Sequence, residues 1–215
     1  MINTLEIQEV LDFYPELHYN ENEHLLKGNL NINHTYKDEH IIADYYVEIS
    51  ISHDYPLTPP TVKSNNKYIF KQYGHMFSDT SLCLGAITEQ ILFLNSGNRL
   101  IQWIEEFVSP YFFALEYFKK YKKYIFGERS HGAKGILEFY SEIFNTTSIE
   151  ATYNILQYIV LNNYRGHILC PCGSGEKLRT CHGEIIKRWK HSDTLELLKS
   201  DLTLINLERK VTKYA

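Results

Sequence analysis

The 215-residue chain reads as an α+β protein on three observations: helical periodicity opens it, two β-rich runs follow, and helical patterning fills most of the remainder. A short string of cysteines and glycines near the end marks a smaller appended unit. At this length the chain buries a real core in one main domain plus an appendage.

Leu5, Ile7, Val10, Leu11 and Tyr14 recur at helical intervals behind Asn3-Thr4, which predicts an N-terminal helix of roughly three turns ending near Pro15. His24–Asn33 and His40–Ile51 are β-rich with partial alternation and a polar turn between them, so they are expected to pair antiparallel. Thr61-Val62-Lys63 offers a third short strand, reached through Tyr55-Pro56 and Pro59-Pro60, whose prolines stiffen the approach. Residues 85–98 are expected to be irregular, with Asn95-Ser96-Gly97-Asn98 as a break. A long helix follows with Leu100, Ile104, Phe107, Val108, Tyr111, Leu115 and Phe118 on one face, thickened by Trp103, Phe112 and Phe113 and kinked or split at Pro110. Phe126–Ile136, with three glycines, predicts a tight loop. Residues 137–164 read as helical with a turn at Asn145–Ser148, and 184–211 as a terminal helix packing through Ile185, Ile186, Trp189, Leu195, Leu198, Leu202 and Ile205.

Chemistry concentrates at Cys83. A nucleophilic cysteine needs an exposed sulfur, access to the thiolate, and donors placed where an acyl oxygen becomes negative. His75 stands eight residues before it, with the turn-forming Ser78-Asp79-Thr80-Ser81 between, which is enough chain to loop back and share the site. Without its surroundings, a cysteine between leucines is more often a small buried hydrophobe than a nucleophile, and the other reading of His75 is a loop-stapling hydrogen-bond partner. Glu128, Arg129 and His131 are auxiliary candidates; their other reading is a charged connector between helices.

The order strand, Tyr55-Pro-Leu-Thr-Pro-Pro-Thr-Val62, then a His-containing loop ending in Leu82-Cys83-Leu84, resembles the core of ubiquitin-conjugating enzymes. The resemblance implies a domain spanning about residues 1–125 and Cys83 as the site that carries a protein modifier as a thioester. The family's His-Pro-Asn tripeptide reads Tyr73-Gly74-His75 here, so His75 takes the position of the Asn. Histidine donates, accepts or carries charge, so it serves as oxyanion donor or as base. The family's Trp-Ser-Pro segment is absent. Cargo with a C-terminal carboxyl, a separate activating enzyme or other acyl source, and an acceptor protein are the implied partners; no ATP site is visible in the chain. Similar stand-alone conjugating proteins occur in bacterial antiphage (CBASS-like) defence, where the modifier is a ubiquitin-like protein or a cyclic-nucleotide synthase.

The second motif is Cys170-Pro-Cys-Gly-Ser-Gly-Glu-Lys-Leu-Arg-Thr-Cys-His-Gly183, which resembles the SEC-C zinc motif found at the tail of the bacterial translocation motor. Cys170, Cys172, Cys181 and His182 supply four ligands of the type tetrahedral zinc prefers, and four protein ligands make the site structural, with no open position for substrate. A helical extension, residues 126–165, is expected to join the two parts, and the knuckle with its terminal helix to span 166–215. The resemblance also admits two other readings: a conjugating-like module that binds without catalysing, and a SEC-C adaptor.

Charge excludes little but weighs against nucleic acid. The formal net charge is −4, and the basic run Lys119-Lys120-Tyr121-Lys122-Lys123 is short and aromatic-broken, so it reads as a solvated helix face. No stretch approaches a membrane span and no secretory signal is evident, which predicts a cytoplasmic protein; four cysteines with three clustered late point to metal rather than disulfides.

Overall fold

The computed structural model describes residues 2–66, 68–127, 130, 132–190 and 194–213. Glu128, Arg129 and His131, the auxiliary candidates, lie outside the described residues. The chain divides into two compact units, Met1–Glu128 and Arg129–Ala215. The extension and knuckle expected as separate segments both fall, apart from the first three residues, in the second unit.

In the first unit, α1 spans Thr4–Phe13, and the Asn3 side chain accepts from the Leu5 amide at 3.0 Å, closing an orphan donor of the first turn. Its buried residues are Ile7 and Val10, with Tyr14 just beyond, while Leu5 stays exposed. Four strands follow, β1 Leu17–Asn20, β2 Leu25–Tyr36, β3 Glu39–Ser50 and β4 Thr61–Lys63, forming an antiparallel sheet in sequence order. Register runs from Leu25 opposite Ser50 to Tyr36 opposite Glu39, so Leu26, Leu30, Ile32, Tyr45, Val47 and Ile49 reach the core from one face. β1 adds a strand that sequence reading does not find: its four residues carry too little alternation, and pairing with Leu25–Gly28 recruits them.

Residues 85–98 are not irregular: α2 spans Ile87–Asn95 and buries Thr88, Gln90, Ile91 and Leu94. Two of those four are polar, which erases the apolar period that would have announced the helix. The long helix is split, as Pro110 predicts, into α3 at Leu100–Trp103, a π turn at Ile104–Val108, and α4 at Ser109–Tyr121 with Pro110 in its first turn. Trp103, Phe112 and Phe113 are fully buried.

The second unit is helical. α5 (Gly132–Phe144) packs on α6 (Ile149–Leu161) and on α8 (Leu195–Lys213); α6 also meets α7 (Gly183–Lys190) and α8. The glycine-rich loop expected over 126–136 is shorter, since Gly132 and Gly135 already belong to α5. The single terminal helix expected over 184–211 is two helices. At about 100° per residue, Trp189 and Leu198 would sit about 180° apart on one straight helix. Both are buried, along with Ile186, Leu202 and Ile205, and two helices let both faces turn inward. Among the described residues, no helix is long and apolar enough to cross a membrane.

Candidate functional site

After β4 the chain makes a π turn at Ile69–Tyr73 and enters a short hairpin whose arms are His75–Phe77 and Ser81–Cys83. Leu82 pairs with Met76, and its amide donates to Val62 of β4 at 2.8 Å, so the hairpin extends the sheet. The tip is closed by Asp79, whose carboxylate accepts from the Ser81 amide at 3.1 Å and from its hydroxyl at 2.5 Å. Ser81 and Lys63 thereby hold the Asp79 carboxyl below its usual range.

The register sets His75 directly across from Cys83, and the Cys83 amide donates to the His75 carbonyl at 3.0 Å. Opposed residues of an antiparallel pair project to one face. Leu82 belongs to the core and Met76 packs against it, while His75 and Cys83 are both half-buried. The eight-residue spacing read from the sequence is thus the spacing of a hairpin. Around His75 stand Tyr73, with ring centroids 4.8 Å apart, and Tyr124 at 5.4 Å and nearly perpendicular. The Tyr111 hydroxyl of α4 donates to the His75 carbonyl at 2.7 Å. Burial, with Tyr73, the Cys83 sulfur and Tyr45 adding, pushes the Tyr111 phenol well above its ordinary range and keeps it a donor. Sequence reading places Tyr111 on the core face of a helix and gives no sign of this contact.

The second cluster is built by a tight hairpin in which Leu169 pairs with Lys177 and the Cys170 amide donates to the Glu176 carbonyl at 2.8 Å. Gly173 and Gly175 take left-handed conformations at φ 83° and 81°, which turns the chain between Cys172 and the 3₁₀ turn Leu178–Thr180. The ligand atoms of Cys170, Cys172, Cys181 and His182 all lie within 4.8 Å of one another. The Cys172 and Cys181 sulfurs are 3.6 Å apart, and His182 Nδ1 stands 3.2 Å from the Cys170 sulfur and 3.1 Å from that of Cys181. A tetrahedral ion with Zn–S of about 2.3 Å and Zn–N of about 2.0–2.1 Å needs ligand separations of about 3.5–3.8 Å, so the four groups fit one with small adjustments.

Nδ1 is free to ligate because the other ring nitrogen, Nε2, hydrogen-bonds the Phe144 carbonyl at 3.0 Å, at the end of α5. Such a partner fixes tautomer and ring orientation. Burial pushes the Cys170 thiol up to about 12. At Cys172 burial also raises the thiol, but hydrogen bonds from Ser174 and the neighbouring cysteines bring it down to about 6. A thiol as reluctant to ionise as Cys170 becomes a thiolate ligand when a cation stands beside it.

No curated protein and no solved structure matches the chain. The SEC-C motif family model matches residues 169–184, the span that holds all four clustered ligands.

Proposed function

We propose that the first unit is a ubiquitin-conjugating-like cysteine transferase that carries a protein modifier on Cys83. The observation that carries this reading is the hairpin register that sets His75 opposite a half-buried Cys83, at the end of an antiparallel meander and a proline-rich turn. In the loading step the Cys83 sulfur attacks the modifier's acyl carbon. The new C–S bond replaces the bond to the activating enzyme's thiol, and that thiol leaves with the proton. In transfer, an acceptor amine attacks the same carbon, the C–N bond forms, and the Cys83 sulfur leaves and is reprotonated by the amine's proton. The His75 imidazole donates to the oxyanion in each step or takes the amine proton. The main-chain pairing of His75 with Cys83 supports that role, since such a group has to be held beside the reacting sulfur.

Cys170, Cys172, Cys181 and His182 hold a zinc ion in this reading. With four protein ligands the site would be structural: these residues would tie the hairpin at Cys170 to the start of α7 through an ion that would neutralise their thiolates. Adducts on wild type that survive denaturation, disappear with reducing agent, and are missing from Cys83→Ala are the expected signature of the thioester. An acyl adduct that persists on Cys83→Ala would place the chemistry elsewhere.

The motif match at 169–184 favours a second reading, a SEC-C adaptor whose first unit binds a partner without catalysing. There, replacing the metal ligands abolishes function and Cys83→Ala leaves it intact.

A further inference from the structure

The geometry points to Tyr111 as the positioning residue that holds His75 against Cys83. One carbonyl, that of His75, accepts two hydrogen bonds: the Cys83 amide at 3.0 Å from across the hairpin and the Tyr111 hydroxyl at 2.7 Å from α4. The first bond sets the register of the two residues, and the second fixes that register to the body of the unit. Tyr111 is well placed for this. Its ring is buried, packs edge-on to Tyr73 at 5.7 Å and to Phe112 at 5.3 Å, and so leaves the hydroxyl one direction to point.

The imidazole is then flanked by Tyr73 and by Tyr124, whose hydroxyl donates to the Tyr73 carbonyl at 3.1 Å. Rings, main chain and hydroxyl meet around His75, and Tyr111 ties the carbonyl that also accepts from the Cys83 amide to α4. A catalytic pair displaced by about 1 Å loses about a hundredfold in rate, which is the scale on which such a tether matters. The purpose of this device rests on the acyl-transfer reading; the device itself rests on the geometry alone.

The test uses alkylation of Cys83, which needs no modifier. Full-length, metal-loaded wild type, Tyr111→Phe, His75→Ala and the double variant are treated with iodoacetamide between about pH 6 and about pH 9, a range that spans ordinary histidine and cysteine titration. The rate is read on the Cys83 peptide by mass spectrometry. Tyr111→Phe is expected to change the rate about three- to tenfold and to alter its pH profile, and to change nothing further once His75 is Ala, because coupled residues are non-additive. A Tyr111→Phe protein with the wild-type profile, or one whose effect is the same with and without His75, overturns the inference. Should Tyr111→Phe not fold, 4-aminophenylalanine and 4-methylphenylalanine at position 111 make the same comparison, one ring with a donor and one without. Only the first should keep the wild-type profile. A protein that passes here but never forms a thioester loses the transferase reading and keeps its positioned pair.

Discussion

A Cβ at Gly183 would stand 2.7 Å from the Leu178 carbonyl oxygen and 2.9 Å from the Tyr164 hydroxyl, closer than real Cβ atoms come to other heavy atoms. Gly183 follows His182 and opens α7, so the strain falls on the ligand loop. Gly183→Ala is expected to cost about 1–3 kcal/mol, the range of overpacking, and to speed metal loss to a chelator; an unchanged melting temperature would contradict it. Asp79 gives a pH-dependent counterpart. Its carboxyl titrates lower in the folded chain than in the unfolded one, so its contribution is fully present above the ordinary carboxylate value of about 4 and is lost as pH falls through the folded value. Wild type and Asp79→Asn should therefore differ in hairpin amide exchange at neutral pH and converge in acid. At this scale the sequence is legible where one local pattern carries the chemistry, as with Cys170, Cys172, Cys181 and His182. It is silent on Tyr111 and on the Phe144 carbonyl, since a tyrosine at a core period and a main-chain oxygen bear no mark of their distant partners.

Between elements, Glu6 joins three of them. Its carboxylate accepts from the Tyr55 hydroxyl at 2.9 Å and from the Leu100 amide at 3.0 Å, so one α1 side chain anchors the proline-rich turn and caps α3. Glu6→Ala removes both of these bonds, and bonds to a charged group contribute about 1.5–3 kcal/mol each. The first unit should lose stability on that scale, seen in denaturant melts, while Glu6→Gln, which keeps an acceptor oxygen, should lose less. The same elements show what period and punctuation reveal. α1, β2, β3 and the split at Pro110 follow from local pattern. α2 hides behind buried Thr88 and Gln90, β1 is made by its neighbour, and the division of α7 from α8 follows from two buried faces that one helix cannot turn inward together.

For the whole molecule, both units bury apolar residues, Tyr140, Phe144, Ile155 and Ile186 among those of the second, where the proposed zinc ion would add to that burial. The first has a sheet-and-helix core running from Ile7 to Leu115, whereas the second closes its Cys/His loop onto α5 through His182 and Phe144. Structural zinc contributes about 10–16 kcal/mol in small peptides, as much as the about 5–15 kcal/mol that holds a whole domain. Chelation is therefore expected to reduce helicity and expose Arg129–Ala215 to protease while a fragment near Met1–Glu128 survives; a chelated protein cut evenly along its length would contradict this. Cys83 is the residue on which the functional account depends. The most direct measurement is the intact mass, with peptide mapping, of Cys83→Lys purified from its native host, where an amide replaces the labile thioester. A Cys83 that carries a modifier gives a protein adduct joined through its C-terminus at position 83 and missing from Cys83→Ala. Repeated recovery of unmodified Cys83→Lys with activating partners present would contradict it and leave the first unit a binding module.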